Sequence, residues 1–219
     1  MAHGKPHAPA SHDFLPAAGV DWLLPLYDPL NRLLGTHRYR ERLLDAAALR
    51  PGDRVLDLGC GTGALTLQAA ARAPRAEIVG LDPDPKALAR ARAKAARAGV
   101  RVTWQQGFGD ALPFEDARFD RVISSLVFHH LTAEVRRATL AEIARVLAPG
   151  GTVHVLDFGP PTGTLDRLLL SIFHRDERLE DNLAGRIPAL MEEAGLAGAG
   201  EVARMRTPFG ALSIWRASR

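Results

Sequence analysis

Residues 55–63 read Val55-Leu56-Asp57-Leu58-Gly59-Cys60-Gly61-Thr62-Gly63, and the fold is decided there. A short apolar run, Arg54 to Leu58, reads as a buried strand. It enters a glycine-rich turn, and residues 64–73, with Leu65 and Leu67, read as the helix that follows. Gly59 and Gly61 let the backbone approach a ligand with no Cβ in the way. Asp82, at the end of the next predicted strand, can accept hydrogen bonds from vicinal ribose hydroxyls. Spacing alone leaves the cofactor open. Gly59-x-Gly61-x-x-Ala64 also fits the loose dinucleotide fingerprint, and Asp82 stands 23 residues after Gly59, where a nicotinamide site places its ribose carboxylate. A purely structural turn is the third reading, although three glycines and a strand-end acid are costly residues to spend on a turn.

Outward from this loop, strand and helix alternate. Residues 77–81 read as a second strand, 85–98 as a helix, 101–106 as a third strand and 119–125 as a fourth. Val135, Leu140, Ile143, Ala144 and Leu147 fall near helical spacing and mark an amphipathic helix over 133–147. Pro149-Gly150-Gly151 is a turn signal before a fifth strand at 152–157. The pattern predicts an α/β fold, doubly wound, with a mostly parallel sheet covered on both faces and ligands at the carboxyl ends of its strands. The C-terminal part differs. Residues 165–174 and 182–194 read as helices, and 201–216 as two strands around Pro208-Phe209-Gly210, a closing antiparallel hairpin. Residues 1–13 read as a flexible tail and 14–49 as a helical cap segment. Residues 50–219 read as the main domain, with 159–195 as a lid or substrate segment.

Composition excludes several classes. Hydrophobic residues make up 47% and charged residues 24% of the 219, ordinary globular usage. Cys60 is the only cysteine, which excludes an internal disulfide framework and a cysteine-cluster metal site. His3, His7 and His12 suit no rigid ligand set, and no metal site is predicted. The absence of a secretory signal or of roughly 18 consecutive apolar residues points to a cytoplasmic protein without a membrane span. Peripheral membrane contact stays open. The net charge is +3. Its excess gathers on the helix at 85–98, where Lys86, Arg90, Arg92, Lys94 and Arg97 stand without an acid, the pattern of a solvated face, with a nucleic-acid or anionic-membrane patch as the alternative.

Further motifs break the tie left by the loop. They are LDLGCGTG at 56–63, GLDPD at 80–84, GDALPFEDARFD at 109–120, SSLVFHHL at 124–131 and RVLAPGG at 145–151. In this combination the sequence resembles the class I S-adenosylmethionine-dependent methyltransferases, nearest to the ubiquinone/menaquinone biosynthesis C-methyltransferases. The resemblance implies a Rossmann-like sheet of seven strands with a reversed last strand, and S-adenosylmethionine as cofactor. It implies that Asp57, Gly59, Cys60, Gly61, Thr62 and Gly63 line the methionine and ribose part. Asp82, with Pro83 beside it, would hold the ribose hydroxyls. Asp110 would accept from the adenine amino group, with the Ala111 amide nearby, and Ser125 would sit beside the amino-acid end. Asp110 alone would read as a turn residue before Leu112-Pro113.

Methyl transfer from a sulfonium is an in-line displacement, which needs alignment and a water-poor pocket more than a strong acid or metal. A general base is required when the acceptor carries a proton that must leave. His129 and His130, after the fourth strand, are the candidates, since imidazole titrates in the right range; capping or packing is their alternative role. Tyr27, Asp28 and His174 could reach over the site. Leu168, Leu169, Leu170, Ile172 and Phe173 read as core or lid packing rather than a surface for a greasy acceptor. Cys60 sits in the cofactor loop, away from the fourth and fifth strands where a covalent thiol mechanism needs it. Where nucleic-acid amino-methylating families carry Asn/Asp-Pro-Pro-aromatic, this chain has Ser124-Ser125-Leu126-Val127. The expected partner is therefore a small-molecule or lipid-like acceptor, with no nucleic acid. The rival readings are a non-catalytic cofactor-binding regulator or partner subunit, and a nicotinamide-dependent oxidoreductase.

Overall fold

The computed structural model describes residues 36–163, 180–207 and 210–219. Strand β1 (Arg54–Leu58) lies between β2 (Glu77–Asp82) and β4 (Phe119–Ser125), parallel to both. β3 (Thr103–Gln106) extends the sheet beyond β2, and β5 (Leu147–Phe158) extends it beyond β4, again in parallel. β7 (Gly210–Ser218) then runs antiparallel between β5 and the edge strand β6 (Ala197–Thr207). The seven-stranded order is β3-β2-β1-β4-β5-β7-β6. The predicted fold, with its reversed last strand, is the one observed.

Successive side chains of a strand point to opposite faces, and here both members of each central pair are apolar. Leu56, Val79, Val122, Val155 and Trp215 pack on one face. Val55, Ile78, Ile123, Leu156 and Ile214 pack on the other. The first face is covered by α4 (Ala133–Val146), through Leu140 and Ile143, and by α6 (Ile187–Glu193), through Leu190 and Met191. The second is covered by α1 (Thr36–Ala47), through Leu43, Leu44 and Ala47, and by α2 (Ala64–Arg72), through Leu65 and Ala69. Helix α1 is thus built into the core of the sheet. α3 (Pro85–Ala98) starts on an Asp84 cap that accepts from the Lys86 N–H, with Pro85 at its first turn, and stops at Gly99 in the left-handed region.

Two of the differences from the sequence reading have a local cause. The helix expected over 182–194 is split into α5 (Glu180–Leu183) and α6, because Gly185 adopts φ +70° and Pro188 opens α6 without an amide to donate. Pro149-Gly150-Gly151 does not precede β5 but lies inside it: Leu147 pairs with Phe119, and Thr152 with Arg121, around an irregular bulge. The expected helix at 165–174 lies outside the described residues.

Candidate active site

The strand order reverses between β1 and β4, so the loops leaving their carboxyl ends diverge and open a crevice. Both site loops begin there. The glycine loop leaves β1, and its three glycines serve different ends. A Cβ on Gly59 would lie 2.4 Å from Val127 Cγ2, and one on Gly63 2.7 Å from the Trp104 ring. Gly59 therefore makes room for the turn after β4, and Gly63 for helix–sheet packing. Only at Gly61 would a Cβ meet nothing within 4 Å. Of the three, Gly61 is the one whose bare backbone opens on free space.

The loop amides discriminate between the cofactors that spacing left open. Gly59 and Cys60 both donate to the Leu81 carbonyl (2.8 and 2.9 Å), and Gly63 donates to the Cys60 carbonyl (2.8 Å). Gly61 donates to Asp82 Oδ2 at 2.7 Å. A pyrophosphate cradle needs such amides turned outward to an anion, and these four are spent inside the protein. The loop presents buried carboxylates instead. Asp82 Oδ1 accepts from the Asp84 N–H at 2.9 Å, so each Asp82 oxygen keeps one lone-pair direction for a ligand hydroxyl. Burial raises its carboxyl above the usual value, against the pull of those two amides. Asp57 is 1% exposed, and its Oδ2 accepts from Thr66 Oγ1 at 2.5 Å. Burial pushes Asp57 up to about 7, with the Thr66 hydroxyl and Arg40 opposing. Two buried acids beside an open glycine suit a ligand that carries positive charge and hydroxyls, and S-adenosylmethionine fits that description.

The remaining loop side chains turn inward. Cys60 is buried beneath the loop, near Gly80, and burial together with Asp57 and Asp82 drives its thiol far upward, so it stays protonated. Thr62 is buried and accepts from Lys94 Nζ at 2.9 Å, so one member of the basic stripe on α3 serves the loop rather than solvent. The Pro83 carbonyl accepts from Gln106 Nε2 at 3.1 Å. The segment carrying Asp110 and Ala111 is clamped from α4. Glu142 Oε2 accepts from the Leu112 N–H (2.7 Å). Arg145 Nη1 donates to the Phe114 carbonyl and to Asp116, both at 2.8 Å. Arg145 Nη2 donates to the Leu112 carbonyl (3.0 Å) and to Glu142 Oε2 (2.8 Å), and Nε to Glu142 Oε1 (2.7 Å). All five guanidinium donors are used. The Ala111 amide makes only a long contact to the Phe108 carbonyl (3.4 Å), too weak to occupy it fully.

At the end of β4, Ser125 leads into Leu126, which has φ +59° and donates its N–H to the Leu156 carbonyl at 2.8 Å. A left-handed leucine is a costly backbone state. It turns the chain so that Val127 lies on Gly59 and the helical turn Phe128–His130 returns over β5. His129 Nδ1 then meets Asp157 Oδ1 at 2.7 Å, while the His129 N–H donates to Asp157 Oδ2 (3.2 Å) and the Phe158 N–H to Oδ1 (2.7 Å). Burial alone would raise the Asp157 carboxyl; the His129 ring and these amides outweigh it and hold the group below its ordinary value. Asp157 is absent from the sequence-based site, where it reads as the last polar residue of a strand; the proximity of residues 28 apart is a product of the fold. His130 is exposed and lies against the His129 ring, centroids 3.9 Å apart. Tyr27, Asp28, His174 and the stripe from Leu168 to Phe173 lie outside the described residues. Among the described residues no group of three or more His, Cys, Asp or Glu is placed to hold a metal ion, and no helix is long and apolar enough to cross a membrane.

A family profile described as a methyltransferase domain matches residues 55–151. The demethylmenaquinone methyltransferase of Thermus thermophilus is 45% identical over 142 residues, 64% of each chain. The aligned stretch thus spans a little under two thirds of that relative. The demethylmenaquinone methyltransferase of Deinococcus radiodurans is 36% identical over 180 residues, 81% of this chain and 70% of the relative. The crystal structure of a SAM-dependent methyltransferase from Aquifex aeolicus shares the fold, with a TM-score of 0.64 at 17% identity over 82% of this chain and 89% of that one. The chain belongs to the class I S-adenosylmethionine-dependent methyltransferases.

Proposed function

We propose that this protein transfers a methyl group from S-adenosylmethionine to a small, lipid-like acceptor of the quinone-precursor type. The observation that carries the cofactor assignment is the state of the glycine loop: the amides of Gly59, Cys60, Gly61 and Gly63 satisfied internally, Gly61 open, and the carboxylates of Asp57 and Asp82 beside it. When bound, the cofactor supplies a methyl group on a positively charged sulfur, and transfer leaves that sulfur neutral. The protein's part is to bind and align. Asp82 accepts the ribose hydroxyls on its two free lone-pair directions, with Pro83 shaping the strand end. Asp57 offers a negative or hydrogen-bonding partner to the cationic amino-acid portion, beside Ser125. The backbone from Gly59 to Gly63 forms the floor, and Asp110 with the Ala111 amide takes the adenine edge.

The acceptor reading draws on the two relatives named for demethylmenaquinone, a naphthoquinone with an unmethylated ring carbon. A quinone ring is electron-poor, so the nucleophile in such a reaction is the reduced, hydroquinone form, whose ring carbon gains electron density when a hydroxyl ionises. The test is calorimetric titration with S-adenosylmethionine and its demethylated product, followed by transfer of labelled methyl to a reduced 2-alkyl-1,4-naphthoquinone. The wild type is expected to bind both cofactor forms and to label the ring. Asp82→Ala is expected to weaken binding at least tenfold, since it removes hydrogen bonds to a charged group worth about 1.5–3 kcal/mol each. Binding indifferent to Asp82→Ala would overturn the cofactor site. Binding without transfer to any phenolic or hydroquinone acceptor would favour a regulatory role.

A further inference from the structure

Asp157 stands outside every cofactor motif, yet it is the fully buried charge at the carboxyl end of β5, with 0% exposure. Three donors converge on it: the His129 ring at Nδ1, the His129 amide and the Phe158 amide. Capping the turn would take only the amide. The ring contact does something more. An ionised carboxylate can only accept, so when the His129 ring is neutral its proton must sit on Nδ1. The Nε2 lone pair, on the opposite edge of the ring, is then left as a base. The ring keeps 13% of its side-chain exposure. It is held edge-on by Phe158, centroids 5.0 Å apart, and lies against His130. Val127, two residues earlier, rests on Gly59 of the cofactor loop, so the turn that carries the ring packs on the glycine loop.

We propose that His129 is the general base of the methyl transfer, that Asp157 is its positioning residue, and that the acceptor therefore belongs to the class that must lose a proton, a phenol or hydroquinone. The inference rests on the function proposed above. His129 Nε2 takes the proton of the acceptor hydroxyl. The ionised oxygen pushes its electron pair into the ring, the ring carbon forms the new bond to the methyl group, and the pair of the broken sulfur–carbon bond stays on sulfur. The hydrogen on that carbon is then lost as a proton while the oxygen regains one, which restores the aromatic ring, with one proton released overall. The imidazolium is stabilised by Asp157 through the retained Nδ1–H, and the proton passes to water after release. The other titratable or charged groups at this turn are His130, whose ring lies against that of His129, and Arg136 from α4, whose guanidinium donates to the Phe128 and Leu131 carbonyls. The partner at Nδ1 is Asp157 Oδ1.

Two measurements test this. In the ligand-free protein, long-range proton–nitrogen spectra of the histidine rings are expected to show His129 in the Nδ1–H form, and Asp157→Asn, which can donate to Nδ1, is expected to move it to the Nε2–H form. With cofactor and the reduced 2-alkyl-1,4-naphthoquinone, kcat/KM of the wild type is expected to rise to a plateau through the titration of one base. Asp157→Asn and His129→Gln are expected to lower kcat by about 100-fold or more and to lose that plateau, while binding S-adenosylmethionine within about threefold of the wild type. Nε2–H in the wild type overturns the role of Asp157. A wild-type pH profile in His129→Gln, or equal turnover of a thioether or tertiary-amine acceptor, overturns the base. A wild type that binds no S-adenosylmethionine instead overturns the function proposed above, and the spectra still judge the dyad.

Discussion

A methyl group added at Gly59 would collide with Val127, and one added at Gly61 would enter open space. Both positions lie in the left-handed region, at φ +71° and +52°. Alanine there costs about 1–2 kcal/mol of backbone strain, and at Gly59 overpacking adds about 1–3 kcal/mol. Gly59→Ala is therefore expected to lower the midpoint of thermal unfolding by roughly 6–12 °C, taking about 3 kcal/mol at 2–4 °C each. Gly61→Ala is expected to cost about half of that, from the strain alone, yet to weaken S-adenosylmethionine binding more than its stability loss accounts for. Calorimetry of the two variants side by side decides the matter. Sequence shows both residues as identical letters in one motif, and their separate duties depend on what the turn after β4 brings against them.

Among the elements, α4 does more than cover the sheet. Its Glu142 and Arg145 hold the Asp110 segment through the Leu112 N–H and the Leu112 and Phe114 carbonyls. This explains why the RVLAPGG and GDALPFED motifs occur together: one supplies the clamp, the other the clamped loop. Arg145→Lys replaces a planar fork by a single ammonium and leaves at least one of those carbonyls without its donor. The expected loss is about 1–3 kcal/mol. Faster amide exchange over residues 109–116 and weaker cofactor binding should accompany it, with exchange in β1 and β4 unchanged. Exchange that stays slow in the loop would mean that the clamp is redundant.

At the scale of the whole molecule, burying Asp57 next to an open site couples folding, binding and pH. Its carboxyl is raised from 3.8 to about 7. The folded protein therefore holds a proton that the unfolded chain has released between about pH 4 and 7, and stability falls with rising pH across that window. Asp57→Asn removes this cost. It is expected to be more stable than the wild type at pH 8, by an amount on the order of a few kcal/mol, and to lose the slope between pH 4 and 7. A cationic ligand favours the ionised carboxylate. Affinity for S-adenosylmethionine is thus expected to rise as pH increases through about 7 in the wild type and to stay flat in Asp57→Asn. Titrations at pH 6 and 8 give the comparison, and a flat wild-type response would separate Asp57 from the cofactor.

The sequence by itself determined the alternation of strands and helices, the reversed final hairpin, the glycine loop and the strand-end acid Asp82. These are local matters: side-chain period, turn chemistry and spacing along one chain. Only the tertiary structure decided which way the loop amides point, inward rather than out toward a phosphate, because those hydrogen bonds close onto Leu81 and Asp82 of a neighbouring strand. It alone joined His129 to Asp157 across 28 residues, since adjacency in a parallel sheet is set by how whole strands stack and not by their separation along the chain.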